Sequence, residues 1–244
     1  MKQIKIILGL GFLGLLSSCN LDINLGQVSG NGNVQTEERK VTEEFNSVRA
    51  SAGMGVYLIK GTENKIVVEA DENLLEIIET SVTNGELKIR AEKNIGKAKA
   101  KKVYVTYISL SSITANSGAD IIADSIIESE TLSLSSSSGA DMELEVLAKD
   151  LFIETSSGAD IDVSGKAISL RAEASSGSDL NARKLLVSTC RATASSGADV
   201  IVNVQDKLNA RASSGGDVRY YGDPSDVSKN GGPSGNVRKM QTTN

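Results

Sequence analysis

The 244-residue chain has no histidine and no tryptophan, two cysteines, two prolines and 3% aromatic residues. Without histidine there is no imidazole base, and a catalytic thiol or serine loses its usual partner. The sequence also contains no Gly-rich phosphate loop, no zinc-ligand spacing and no nucleophile elbow. Two cysteines allow at most one disulfide, and none if one of them is modified. Acidic residues outnumber basic ones by 31 to 26, an excess that argues against nucleic acid or anionic lipid headgroups as partners. These absences point away from an enzyme. Polysaccharide-active β-helices remain the enzymatic alternative, since they work with acidic pairs.

What the chain has in abundance is Ser-Gly-X-Asp, six times over: Ser117 to Asp120, Ser138 to Asp141, Ser157 to Asp160, Ser176 to Asp179, Ser196 to Asp199 and Ser214 to Asp217. The glycines Gly118, Gly139, Gly158, Gly177, Gly197 and Gly215 are 21, 19, 19, 20 and 18 residues apart. Such a period marks stacked repeats, each too short to bury its own apolar face.

Apolar residues recur at every second place within each repeat. Three before the glycine stand Ala115, Ser136, Thr155, Ala174, Ala194 and Ala212, and five before it Ile113, Leu134, Ile153, Ala172, Ala192 and Ala210. Three after it come Ile121, Met142, Ile161, Leu180, Val200 and Val218. This is the rhythm of half-buried strands and does not fit a 3.6-residue period. The expected fold is all-β: a right-handed parallel β-helix or solenoid with coils of about 20 residues, in which glycine supplies the positive φ of a tight corner. The serine before each glycine continues the inward alternation and is expected to fill that corner. Cys190 falls in the inward column of Leu132, Leu151, Leu170 and Leu208, where packing is its expected role.

The first 18 residues are a short basic start followed by the apolar run Ile6 to Leu16, too short for a membrane span. Leu16-Ser17-Ser18-Cys19 then resembles a bacterial lipoprotein signal, with cleavage before Cys19 and lipidation of its thiol. Several acyl chains on Cys19 would hold the protein stably at a membrane. Residues 19 to 33, rich in Gly, Asn and Ser, read as anchor and flexible tether. The solenoid domain is expected over residues 34 to 240. Within it, Asp71 is placed to cap a short helix over Glu72 to Thr80, Asn84-Gly85 marks a hairpin, and Lys93 to Lys102 reads as a solvated basic loop or edge. The stretch from Val34 to Ile108 is expected to cover one end of the solenoid. Both prolines, Pro224 and Pro233, lie beyond the last repeat, in a degenerate C-terminal cap where Ser234-Gly235-Asn236-Val237 repeats the corner once more.

Arg39-Lys40-Val41, Phe45-Asn46-Ser47-Val48, Gly53-Met54-Gly55-Val56-Tyr57-Leu58, Gly85-Glu86-Leu87-Lys88-Ile89, Val103-Tyr104-Val105-Thr106 and the repeated Ser-Gly-Ala-Asp together resemble the auto-transporter adhesin, head GIN domain family. The resemblance covers roughly Val34 to Val237. It implies a β-helix-like fold in envelope proteins, often lipoproteins, with adhesion as the suggested role, and it brings no catalytic residues.

The candidate site is the column Asp120, Asp141, Asp160, Asp179, Asp199 and Asp217, expected to face outward. One reading has each carboxylate bonding the N-H groups and hydroxyls of its own turn. The other has the row binding a divalent cation such as Ca²⁺, a hard ion that favours clustered oxygens. No other cofactor is called for. Together these readings predict a lipid-anchored, non-enzymatic binding or adhesive protein of the envelope, on the outer membrane, with a protein or glycan partner. The alternatives are a carbohydrate-binding or carbohydrate-active β-helix and a structural envelope protein.

Overall fold

The computed structural model describes residues 26–41, 43–232 and 234–241. Cys19 and the leader before it lie outside the described residues. The strands run in chain order as β1 (Val34–Arg39), β2 (Ser47–Ala50), β3 (Gly55–Lys60), β4 (Lys65–Asp71), a 3-10 turn (Glu72–Ile77), β5 (Ile78–Thr83), β6 (Glu86–Ala91), β7 (Lys101–Tyr107), β8 (Ser112–Asn116) and β9 (Asp120–Ala123). The repeats follow as β10 (Ile127–Ser137), β11 (Asp141–Ser156), β12 (Asp160–Ser175), β13 (Asp179–Ala194), β14 (Asp199–Ala212), β15 (Asp217–Tyr221), β16 (Asp226–Gly231) and β17 (Asn236–Lys239). Coils of about 19 residues stack in parallel into a β-solenoid of about seven turns.

Each coil has two faces. In β11 every second residue from Met142 to Ala148 is buried, the alternation slips at Lys149 and Asp150, and it resumes from Leu151 to Thr155. The slip is one corner and the Ser-Gly turn is the other. Both faces send apolar side chains into a single core. There Leu132, Leu151, Leu170, Cys190 and Leu208 stack in register across the coils. A fully buried Leu contributes about 1.5–3 kcal/mol, so the ladder is a principal source of cohesion between coils. Cys190 is buried and its thiol is pushed up to about 12 by that burial, which makes it a packing group and not a nucleophile.

The Ser-Gly corner differs from the sequence expectation. Glycine does take positive φ, but so does the serine before it: φ is 58° at Ser138 and 66° at Gly139, and the pair repeats at all six Ser-Gly-X-Asp corners. Two successive left-handed residues lift the serine out of the alternation, so Ser117, Ser138, Ser157, Ser176, Ser196 and Ser214 are exposed. The corner is filled instead by the small residue after glycine, Ala119, Ala140, Ala159, Ser178 or Ala198. The twist also aims each serine carbonyl at the next coil. Gly118, Gly139, Gly158, Gly177 and Gly197 N–H donate to the serine carbonyl one coil on, at 3.0–3.2 Å. Two polar contacts at the inner side of the corner are satisfied: Ser136 Oγ donates to Ala140 O at 2.7 Å, and Thr155 Oγ1 meets Ser178 Oγ at 2.8 Å.

The N-terminal region was expected to cover the end of the stack, but much of it is the stack. β2 and β3 form a coil with its own corner at Ala52 (φ 60°) and Gly53 (φ 67°). β6 and β7 form another, and the β2–β3 coil lies between it and the β8–β9 coil. Among the described residues only β1, β4 and β5 depart from the parallel scheme, adding antiparallel strands beyond β7 and β6. The hairpin at Asn84-Gly85 forms as its dipeptide predicts, with both residues at positive φ. At the other end β17 pairs with β15 in the register of a further corner, Asn236 beside Asp217.

Asp71 does not cap the following turn with its side chain. It is 1% exposed, and its carboxylate accepts main-chain N–H groups from Gly32 (2.8 Å), Ala100 (2.9 Å) and Lys99 (3.1 Å). These bonds join two stretches expected to be free. Residues 28–33, read as the end of a flexible tether, are docked: Val28 N–H donates to Asn94 O and Gly30 N–H to Lys97 O, both at 2.8 Å. The basic run behaves partly as expected, with Lys93, Lys97 and Lys99 exposed, while Lys101 and Lys102 begin β7.

Candidate functional site

The coil register places Asp120, Asp141, Asp160, Asp179, Asp199 and Asp217 in a single file along one face. All lie on the solvent side of the alternation, because each starts a strand two residues after the corner glycine. The file has defined ends. Below Asp120 the same position is held by Gly55 and then Lys102, and above Asp217 by Asn236. Asp199 accepts from Arg219 Nη2 at 2.7 Å; Asp217 accepts from Asn236 Nδ2 at 3.0 Å and Arg238 Nη2 at 3.3 Å. Among the described residues Asp120, Asp141, Asp160 and Asp179 have no side-chain partner, and the corners are closed by main-chain hydrogen bonds and by the Ser136 and Ser178 hydroxyls.

Electrostatics follow from this arrangement. Partial burial, together with Asp160 and Asp120 on either side, holds the Asp141 carboxyl above the usual carboxylate range. Asp179 is raised in the same way by partial burial and by Asp160 and Asp199, with Arg219 opposing. The file runs along an axis and does not close around a point. Among the described residues no group of three or more His, Cys, Asp or Glu converges enough to hold a metal ion.

A carboxyl raised in the folded state weakens folding at neutral pH, and that penalty disappears as pH falls through the folded pKa. Asp141→Asn is therefore expected to raise the melting temperature by about 1–2 °C at pH 7 and low salt. The gain should vanish below about pH 4 and shrink in high salt. Asp199→Asn, which loses the Arg219 pair, should give no gain at any pH. Thermal melts of both variants across pH check this, and equal gains would show that the neighbours do not interact.

The file borders a groove of 520 Å³ lined by Gly55, Tyr57, Asp120, Asp141, Asp160 and Asp162. Tyr57 stacks on Tyr104 one coil away, with ring centroids 5.2 Å apart and planes inclined by 24°. Sequence reading missed this end of the face, because the Ala52-Gly53 corner carries neither the serine nor the aspartate of the repeat. The second face is built differently. Ser133, Phe152, Arg171, Arg191 and Asn209 succeed one another in register, and Phe152 is 44% exposed.

The family described as "Putative auto-transporter adhesin, head GIN domain" matches residues 44–224. The chain belongs to that family. The match begins just before the β2–β3 coil and ends just after β15, so the head GIN domain corresponds to the coil stack itself. Among solved structures, a putative adhesin from Bacteroides fragilis is 18% identical, with a TM-score of 0.81 over 87% of this chain and 100% of that one. A putative adhesin from Parabacteroides merdae is 19% identical, with a TM-score of 0.71 over 88% and 100%. A protein from Parabacteroides distasonis described as a putative lipid binding protein gives the same identity, TM-score and coverage. At such identities these likenesses show a shared fold. No curated protein matches the chain. Among the described residues of this head GIN protein no helix is long and apolar enough to cross a membrane.

Proposed function

We propose that this head GIN protein is a lipid-anchored component of the bacterial envelope whose solenoid acts as a non-enzymatic adhesive surface. The observation that carries the reading is the extent of the family match, 44–224: the module named for adhesion is the coil stack, and the stack is nearly the whole described chain. The surface supports it. Ladders repeat one residue type along an axis, as in the aspartate file, and give extended, uniform faces suited to a large partner. A catalytic centre instead requires unlike groups converging on one point. Anchoring rests on the Leu16-Ser17-Ser18-Cys19 signal after the apolar run. Docking of residues 28–33 then leaves only a short link between Cys19 and the solenoid.

The test is protease accessibility of the anchored protein on intact and on lysed cells. Cleavage on intact cells is the expected result. Protection until lysis would place the solenoid inside the envelope and overturn an adhesive role. A Cys19→Ala variant should leave the membrane fraction; its retention there would overturn lipid anchoring.

A further inference from the structure

We propose that the second face carries a site for a carboxylate-bearing glycan, centred on Phe152, Arg191 and Arg211. This deepens the adhesive reading by naming a ligand class. Phe152 is a large apolar ring 44% exposed in the middle of a strand, flanked in register by Ser133 on one side and Arg171 on the other. Nothing in the fold requires an aromatic there: the equivalent positions in the other coils are Ser133, Arg171, Arg191 and Asn209, and all serve the outward side of the same strand. The ring borders a shallow depression of 190 Å³ lined also by Ser133, Ser135, Glu154, Arg171 and Glu173. A flat aromatic floor with hydroxyl and carboxylate groups at its rim fits a pyranose ring. Its C–H face meets the electron-rich face of Phe152, and its hydroxyls donate to Glu154 and Ser135.

Charge fixes the class of sugar. Arg171 is held in place by Glu173, with Nε and Nη2 both 2.8 Å from Oε1. Arg191 and Arg211 are both exposed, and among the described residues neither has an acidic partner. They lie on adjacent coils, Arg191 beside Asn209 and Arg211 beside Thr193, two residues further along the same strand. Two unpaired guanidinium groups at this spacing make a receptor for a carboxylate, the anion that Arg binds with directional paired hydrogen bonds. Arg191 stands two coils from Phe152, about 10 Å at the ordinary inter-strand spacing. A ligand lying along the solenoid axis would thus rest one ring on Phe152 and place an acidic sugar at the arginines. Glu154 lies on the Phe152 side and repels the opposite orientation. The contrast with the aspartate face, where the central carboxylates are unpaired, makes this face the one an anionic polymer can approach.

The full chain, purified in detergent, is titrated with trigalacturonate, sialyllactose and neutral galactotriose. Saturable, salt-sensitive binding of at least one acidic probe and weaker binding of galactotriose are expected. Phe152→Ala and the double variant Arg191→Gln, Arg211→Gln should each weaken it by roughly tenfold or more, the double variant also losing the preference for acid over neutral sugar. All three side chains are exposed, so the variants should melt with the unaltered chain, which separates lost binding from lost folding. Absence of binding by both acidic probes overturns the proposal. So does binding that survives Phe152→Ala and is matched by poly-glutamate, which would make the face a receptor for acidic protein. Neither outcome touches the adhesive reading, which the protease experiment decides on cells.

Discussion

Gly165→Ala is expected to lower folding stability by about 3–5 kcal/mol. Gly165 lies in β12 directly over Val146 of the previous coil, at φ 107°, beside a register irregularity between Asp162 and Ser164. A Cβ there would fall 2.0 Å from the Val146 carbonyl oxygen and 3.0 Å from its amide nitrogen and carbonyl carbon. The obstacle is main chain, so no side-chain rotation relieves it. Either β12 must lift from β11, breaking parallel ladder bonds, or the residue must leave its left-handed conformation and carry the neighbouring strand with it. The control is Gly158→Ala. Gly158 has φ 67° and no heavy atom within 4 Å of its would-be Cβ, so only the conformational cost of about 1–2 kcal/mol applies. Equilibrium urea unfolding of both variants tests the difference. Equal losses would mean that the coil absorbs the contact and that the approach of β12 to Val146 does not depend on the absence of a side chain.

Asp71→Ala is expected to free the docked strap without dissolving the coils. Burial by itself would raise the Asp71 carboxyl, but the N–H groups of Gly32, Ala100 and Lys99, helped by the Lys99 charge, outweigh it and hold the carboxyl below the usual range. Alanine would take the acceptor away from three main-chain donors, of which the Ala100 N–H is buried. Amide exchange at Gly32, Lys99 and Ala100 should accelerate by roughly a hundredfold or more, together with a drop of several degrees in melting temperature. Exchange within β11 to β13 should change little, since solenoid coils contact chiefly their neighbours. The pH dependence has a definite sign. Because the folded pKa is depressed, this contribution is complete above the ordinary carboxylate range and is lost as pH falls through the folded value. Acid should therefore loosen the strap while it relieves Asp141 and Asp179. Unchanged exchange at Gly32 in Asp71→Ala would show that the other bonds of the strap, from Val28 and Gly30 and to Glu72 and Asn73, hold it without the carboxylate.

The repeat was legible because stacking forces it to be. A coil that pairs with identical neighbours must keep its corner glycine, its small corner residue and its inward aliphatics in step, and periodicity survives any single substitution such as Cys190 among the leucines. The direction of Ser117 and its equivalents was not legible. Strand alternation extrapolates through the corner only if the corner is extended, and two left-handed residues in succession reset it. Asp71 was misread for a related reason: its sequence context is that of a helix cap, whereas its real partners are 28 to 39 residues distant and only the fold brings them close. The β2–β3 coil escaped notice because Ala52-Gly53-Met54-Gly55 keeps the glycine of the motif without its serine or aspartate. On the binding faces, the aspartate file could be read from spacing alone. The pairing of its last two members with Arg219 and Arg238, and the solitude of the first four, required the register.

The placement of β2 and β3 between strands that come later in the chain sets an order of assembly. A chain emerging from its N-terminus presents residues 47–60 long before either neighbouring layer, β6–β7 or β8–β9, has been made. That layer cannot seed the stack. It must wait for β7, which ends at Tyr107, to gain its first flank and for β9, which ends at Ala123, to gain its second. Every later layer can instead be added singly onto a finished template, at little cost in loop closure. The molecule thus has a slow-starting base and a fast-growing top. Shortening it from the C-terminus should remove layers one at a time, whereas any cut between residues 47 and 123 strikes the whole foundation.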